Sequence, residues 1–409
     1  MSDRTAVART PGASETLMER VAWRVARGAA ERIRVGALTA ILPDGSRQSF
    51  GQDDGDLRGE IHIHDRAALV RILLDGETGA GEAYMDGQWS SPDLAALLRL
   101  AARNREALSL DRGWFRIPGQ AGRTIAHRIR RNTMGGSRRN IAAHYDLGND
   151  FYRLFLDETL TYSSAVFERP DQSLADAQRA KYQRIAEGAG LRRGRHVLEI
   201  GTGWGGFALY AAGELGCRVT SITISREQHD LARQRVRAAG LEELVDIQFR
   251  DYRDVTGRYD AIVSIEMLEA VGAEYFATFF ETCDRALAPG GRMSIQVITF
   301  PDSAYERQRR GANWIQTYIF PGGICPSLAV IERSTRDTRL LVTSVRDIAA
   351  DYVRTLRSWR TRFMGQLDEV RALGFDDRFI RCWRFYLAYC IAGFASRSTD
   401  VAQYTLVAR

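Results

Sequence analysis

Val197-Leu198-Glu199-Ile200-Gly201-Thr202-Gly203-Trp204-Gly205-Gly206 is the stretch that decides the fold. His196 to Ile200 is a short apolar run of strand type, the glycines break it, and Phe207 to Leu215 resumes as a helix. Clustered glycines at a strand-to-helix turn let backbone and ligand approach closely, because no Cβ intervenes. The spacing is E-x-G-x-G-x-G, with glycines at 201, 203 and 205 and a further one at 206. It differs from the G-x-G-x-x-G dinucleotide fingerprint, which also wants an acid at the end of the second strand. Here that strand ends Ser221-Ile222-Thr223-Ile224-Ser225, without an acid. A nicotinamide dinucleotide fits poorly, and a nucleoside-like cofactor with a different ribose grip fits better.

Outward from the loop, Arg218 to Ile224 reads as a strand, Arg226 to Ala239 as a helix and Asp246 to Phe249 as a strand. Tyr259 to Ile265 is a fourth strand, and Arg292 to Phe300 a fifth after the turn Pro289-Gly290-Gly291. Strands alternating with helices predict an α/β fold, a parallel sheet covered on both faces with its ligand crevice beyond the strands' carboxyl ends. A mostly helical portion follows, with helices expected over Tyr352 to Leu367 and Asp376 to Arg397. Upstream, a helical pattern from Leu17 to Ile33, apolar segments at Leu38–Leu42, Ile61–Ile63, Ala68–Leu73 and Tyr84–Trp89, and a helix-like run from Leu94 to Ala102 make a small mixed domain. The expected organisation is an N-terminal accessory domain over 1–110, an Arg-rich connector over 111–139 and a catalytic domain over 140–409.

The 409 residues are 45% hydrophobic, 26% charged and 10% aromatic, with 37 Gly and 9 Pro, which excludes a disordered, collagenous or staple-dependent chain. Against 51 acids stand 57 basic residues, a balance of +6 that leans towards anionic partners. Lys181 is the one lysine; the other bases are Arg, which keeps its charge when partly buried and grips phosphate bidentately. Five widely spaced cysteines without a C-x-x-C pair give little support to a disulfide framework or a structural zinc site, and His62 and His64, on one side of a strand, read as surface residues, so no metal is expected. The N-terminal MSDRTAVART lacks a hydrophobic signal core and no apolar stretch reaches spanning length, so the expectation is a cytoplasmic protein that touches a bilayer surface transiently.

The sequence resembles class I S-adenosylmethionine-dependent methyltransferases, and more narrowly the cyclopropane-fatty-acyl-phospholipid synthase family. The resemblance rests on the glycine loop, on His144-Tyr145-Asp146-Leu147-Gly148-Asn149-Asp150-Phe151-Tyr152 and on Thr161-Tyr162-Ser163-Ser164-Ala165. It continues through Thr223-Ile224-Ser225-Arg226-Glu227-Gln228, Asp251-Tyr252-Arg253-Asp254, Met267-Leu268-Glu269-Ala270-Val271-Gly272 and Tyr318-Ile319-Phe320-Pro321-Gly322-Gly323. It implies a Rossmann-like sheet with helical lid and C-terminal additions. It also implies that Gly201, Gly203 and Gly205 cradle the methionine and ribose part of S-adenosylmethionine, and that Thr223 and Gln228 hold the ribose. Tyr145 and Ser163 would touch the amino-acid portion, and Asp251 and Tyr252 would lie near the adenine.

The reaction implied is attack by the sulfonium methyl on the cis double bond of a phospholipid acyl chain, followed by proton loss from the transferred methyl to close a cyclopropane ring. It needs positioning, dryness, negative charge near the developing cation, and a base. In the family the base is a bound bicarbonate held by a Glu, a Tyr, a His and in part a Cys. Glu269 and Tyr352 match the first two, whereas Ser164 stands at the Cys position and Gln296 at the His position, and neither titrates near neutrality as a His does. Glu266 lies three residues before Glu269; on a helix the two acids share a face, where like charges raise one pKa and prepare a base, and the alternative is a helix-start residue favoured by the dipole. Proton abstraction is then open between weakly held bicarbonate, Glu266 and Glu269, and the product between a ring and a methyl-branched or methylene-bearing chain.

Around 301–350 an insertion after the fifth strand, rich over Pro301 to Gly323 in Tyr, Trp, Phe and Arg, is expected to line an acyl tunnel and meet an anionic headgroup or membrane surface, with a plain solvated basic helix as the rival for its arginines. A homodimer is favoured by the resemblance alone. Nucleic acid is not an expected partner, since neither a reader nor a base-methylating motif occurs. The competing readings are a methyltransferase acting on another lipid or small molecule, and a lipid-binding protein with a retired site.

Overall fold

The computed structural model describes residues 16–52, 55, 57–108, 147–311 and 313–409. The chain divides into two units: one is formed by the N-terminal residues together with Leu367–Ser396, the other by Ala126–Gln366 and Arg397–Arg409. The Arg-rich connector falls outside the described residues.

In the first unit, helix α1 (Leu17–Ala30) starts at a capping box in which Thr16 and Glu19 satisfy each other's backbone N–H groups at 2.8 and 3.2 Å. Strands β1 (Ala37–Ile41), β2 (Arg47–Gly51), β3 (Arg58–Ile63) and β4 (Trp89–Ser90) form a sheet in the order β2-β1-β3-β4. Helix α2 (Ala67–Met85), broken at Gly76, and helix α3 (Leu94–Arg103) pack with the long helix Asp377–Ala395. That last helix, expected in the catalytic portion, joins the N-terminal unit instead. Its buried face, with Phe385 set against Tyr84 and Trp89 at centroid distances of 5.6 and 6.4 Å, finds its apolar partners there.

The second unit is built on seven strands. Helix α4 (Leu174–Gly188) precedes β5 (His196–Ile200), and α5 (Gly206–Gly213), β6 (Arg218–Thr223), α6 (Arg226–Ala238), β7 (Val245–Phe249) and β8 (Tyr259–Ile265) follow in turn. Then come α7 (Phe276–Ala286), β9 (Leu287–Thr299), β10 (Leu340–Asp347), α8 (Ala349–Gly365) and β11 (Asp400–Ala408). The sheet order is β7-β6-β5-β8-β9-β11-β10. β5 to β9 are parallel, as the alternation predicts, and the order reverses between β5 and β8, which places the ligand crevice at their carboxyl ends. β10 and β11 add two antiparallel strands beside β9 where a mostly helical portion was expected, so the sheet is mixed. β9 begins at Leu287 rather than Arg292. The expected turn at Pro289–Gly291 is a bulge inside it, because the pairing with β8 jumps from Tyr259–Leu287 to Ala261–Arg292. One face buries Leu198, Ile262, Phe279, Phe280 and Met293, and the other Val197, Phe207, Ala208 and Val263, which anchors the loops above the sheet.

Candidate active site

The glycine loop leaves β5 in the way the sequence requires: Gly201, Gly203 and Gly205 all take positive φ, at 100°, 52° and 85°. A Cβ on Gly203 would meet no atom of the described residues within 4 Å, which leaves room above the sheet, a cradle that a side chain would fill. At the end of β6, Thr223 Oγ1 and Gln228 Oε1 lie 3.0 Å apart, and Ser225 caps α6 by accepting from Gln228 N at 3.3 Å. The two residues expected to hold a ribose therefore stand together at one strand end. These residues fit S-adenosylmethionine.

The pair expected near the adenine separates. Asp251 is buried, with its carboxylate accepting from Arg253 N, Nε and Nη2 at 3.0, 2.8 and 2.7 Å. Tyr252 turns into the core, its ring T-shaped against Phe279 at 5.6 Å, so its side chain belongs to the packing beneath the site. Tyr145 lies outside the described residues.

The acids depart most from expectation. Glu266 does not continue a helix: β8 ends at Ile265, Glu266 takes a φ of 48°, and only a short 3₁₀ turn follows at Leu268–Ala270. This left-handed turn carries the Glu266 carboxylate into the place expected for an anion. Its Oε1 accepts from Ser164 N at 2.8 Å and Gln296 Nε2 at 2.7 Å, and its Oε2 from Tyr352 OH at 2.9 Å. Three of the four residues expected to hold bicarbonate thus hold Glu266 instead. Ser164 does so through its backbone, its hydroxyl donating to Ala165 O at 3.0 Å, and Gln296 spends its other amide donor on Ser164 O at 3.1 Å. The residues present do not fit a bicarbonate held between Ser164, Gln296 and Tyr352, because a side-chain carboxylate already takes those donors.

Glu269 sits apart, accepting from Ile298 N at 2.5 Å through Oε1, while its Oε2 is buried with no hydrogen-bond partner among the described residues. Burial pushes the Glu269 carboxyl up to about 8, and the neighbouring charge of Glu266 pushes the same way, so Glu269 carries a proton at neutral pH. Burial also raises Glu266, but Gln296, Ser164, the Lys181 charge and Tyr352 all favour its carboxylate form. Burial thus raises both carboxyls, Glu266 against three hydrogen bonds and a nearby cation, Glu269 against backbone donors alone.

The frame around them comes from two helices. α8 presents Tyr352 and Trp359, Trp359 stacking on Tyr162 at 5.2 Å, and is pinned by Thr355 Oγ1 accepting from Ala165 N at 3.1 Å and Asp351 accepting from Phe167 N at 3.0 Å. α4 turns polar groups inward: Gln178 donates to Ser163 O at 3.1 Å, and Lys181 Nζ donates to Ser163 Oγ at 2.8 Å. Burial pulls Lys181 down to about 7, opposed by Glu266, Asp157 and Glu199. In the insertion, Tyr305 and Trp314 are buried by packing, and Ile324 N donates to Glu269 O at 2.8 Å.

Lys181 and Gln403 were not singled out for the site from sequence. Gln403, on the unexpected β11, donates to Gln296 Oε1 at 3.0 Å and fixes the orientation of that amide. Lys181 carried one signal, its being the only lysine of the chain. No cluster of three or more metal-ligating side chains occurs among the described residues, and no helix among them is long and apolar enough to cross a membrane.

Known proteins resemble the chain along much of its length. The sequence profile described as mycolic acid cyclopropane synthetase matches residues 133–404. A tuberculostearic acid methyltransferase, UfaA1, of Mycobacterium tuberculosis is 44% identical over 357 residues, 85% of this chain and 83% of that protein. A cyclopropane-fatty-acyl-phospholipid synthase of Escherichia coli is 33% identical over 354 residues, 86% of this chain and 88% of that protein. Among solved structures, mycolic acid cyclopropane synthase CmaA1 complexed with SAH and CTAB superposes with a TM-score of 0.62 at 31% identity, covering 66% of this chain and 98% of that one.

Proposed function

Since the chain belongs to the mycolic acid cyclopropane synthetase family and is an S-adenosylmethionine-dependent methyltransferase, we propose that it methylates the cis double bond of an unsaturated phospholipid acyl chain, with Glu266 as the base. The observation that carries this reading is the Glu266 carboxylate held by Ser164 N, Gln296 Nε2 and Tyr352 OH. S-adenosylmethionine supplies an electrophilic methyl group when bound, and Gly201, Gly203, Gly205, Thr223, Gln228 and Ser163 are the described residues that would hold it.

The acyl double bond gives its electron pair to the new C–C bond, leaving a cation on the neighbouring acyl carbon. Glu266 provides negative charge near that cation, and its three donors keep the carboxylate fixed, so little reorganisation is needed as charge develops. The aromatic wall of Tyr162, Tyr352 and Trp359 excludes water that would capture the cation. A proton leaves the transferred methyl for Glu266. Direct closure gives a cyclopropane; a prior 1,2-hydride shift on the acyl chain gives an exocyclic methylene. A saturated methyl branch needs a further hydride from another source. Glu269, protonated, offers a hydrogen-bond donor from Oε2 rather than a second negative charge.

The methylene route is favoured by the side-chain carboxylate standing in place of bicarbonate and by likeness to a protein named for tuberculostearic acid. The ring is the second reading, supported by the family and by likeness to a cyclopropane-fatty-acyl-phospholipid synthase. Purified protein given methyl-labelled S-adenosylmethionine and liposomes of cis-unsaturated phospholipid tests both: ring and methylene protons separate in the NMR spectrum. Label missing from acyl chains removes the proposal. The Arg-bearing helix Asp302–Arg310 is proposed to meet an anionic membrane surface, which supplies such chains.

A further inference from the structure

Lys181 is wholly buried on α4, and it is the single lysine among 57 basic residues. A chain that uses arginine at its other basic positions has here a compact ammonium whose proton can leave, which a guanidinium cannot match. A buried ammonium is expensive to desolvate, and Nζ makes one hydrogen bond among the described residues, to Ser163 Oγ at 2.8 Å. A hydroxyl that accepts from an ammonium must aim its own hydrogen elsewhere, and no described residue accepts it. The charged neighbours come from three elements: Glu266 after β8, Asp157 before α4 and Glu199 on β5. On its own helix the Tyr182 ring lies 4.6 Å from Nζ. Glu266 is in turn faced by Glu269 and Tyr352. Asp157 Oδ1 is itself buried without a hydrogen-bond partner among the described residues, and Arg235 faces Asp157 and Tyr182 from α6, so Lys181 and Arg235 share the neutralisation of this acidic interior.

We propose that Lys181 is a positioning residue of the transfer: through Ser163 it turns a hydroxyl donor towards the carboxylate of the cofactor's amino-acid portion, and through space it sets the charge state of Glu266. The inference rests on the roles given above to Ser163 and Glu266. It explains why a buried segment that carries no substrate-contacting group still holds a cation. It also links two halves of the site that the sequence leaves unconnected, the cofactor cradle and the base.

The single lysine is its own reporter. Protein grown with lysine labelled at Cε with ¹³C gives one signal, whose pH titration reads Lys181 without any variant of it. The expected midpoint lies well below the ordinary value of about 10.4. Added S-adenosylhomocysteine should raise the midpoint by about one pH unit, and Glu266→Gln should lower it by about one unit, as removal of one charge across a protein interior does. A midpoint unmoved by either overturns the proposal. A signal that responds to S-adenosylhomocysteine and to Glu266→Gln, in a Glu266→Gln protein that keeps full turnover, supports the Lys181 coupling and defeats the reading of Glu266 as base. Lys181→Met should weaken S-adenosylhomocysteine binding about tenfold in calorimetry and raise the acid limb of the turnover profile, with Lys181→Arg restoring part of both. Unchanged affinity and profile in folded Lys181→Met would leave the lysine a merely structural residue.

Discussion

Replacing Glu266 by glycine removes one carboxylate and leaves the backbone turn in place, because a φ of 48° costs glycine nothing. The substitution opens a space the size of a small carboxylate between Ser164 N, Gln296 Nε2 and Tyr352 OH, which held Glu266 at 2.8, 2.7 and 2.9 Å. A general base is worth about 10²–10⁴ in rate, or about 2.7–5.4 kcal/mol of barrier. The abandoned donors, each costing about 1–3 kcal/mol when buried unpaired, make the hole an anion site. Transfer of labelled methyl to phospholipid in buffer purged of carbon dioxide should therefore fall about 10²–10⁴-fold in Glu266→Gly. Millimolar bicarbonate or formate should restore about tenfold or more, while leaving the native protein unaffected. Glu266→Gln should lose as much and recover nothing, since its amide fills the hole. A native enzyme stimulated by bicarbonate, or a Glu266→Gly enzyme of native rate in purged buffer, would refute the assignment.

Other consequences follow from the same geometry. Gly203→Val, which puts a branched side chain at a φ of 52° into the open cradle, should abolish S-adenosylhomocysteine binding in calorimetry while circular dichroism stays native. Glu269 holds its proton to about 8 when folded, against the ordinary 4.5, so the folded chain binds a proton that the unfolded chain has lost and stability falls as pH rises from about 4.5 to 8. Glu269→Gln should flatten that fall in urea titrations, and an unchanged slope would contradict the buried neutral acid. Gln403→Ala leaves the Gln296 carbonyl without its donor and should cost about 1–3 kcal/mol of stability and lower turnover, measured together. Turnover against pH should show an acid limb above the usual carboxylate range, because burial raises Glu266 and its carboxylate form is the active one.

The parallel half of the sheet was legible because its strands are apolar runs cut off by turn residues; His196–Ile200 and Tyr259–Ile265 have the bounds that their patterns imply. β10 escaped because it is an edge strand exposed along most of its length, and β11 because it is buried on both faces and shows no alternation. The acids Glu266 and Glu269 were visible as candidates, but not their division of labour. A spacing of three residues suggests a helix face, whereas the structure turns left-handed at Glu266 and recruits donors 102, 30 and 86 residues away along the chain. Gln403 reaches Gln296 across 107 residues, a contact no local pattern carries. Lys181 stood out only as the one lysine of the chain, and its burial beside Ser163 comes from the tertiary fold, which no local pattern carries.

The most direct test follows trideuteromethyl-labelled S-adenosylmethionine into cis-unsaturated phospholipid liposomes, with the native enzyme in carbon dioxide-free buffer and the product read by mass spectrometry and NMR. Proton loss from the transferred methyl to Glu266 predicts acyl chains that keep two of the three deuteriums, as an exocyclic methylene, at a rate that added bicarbonate does not change. Acyl chains without label, or labelled only when bicarbonate is supplied, would contradict the assignment of Glu266 as the built-in base of an acyl-chain methyltransferase.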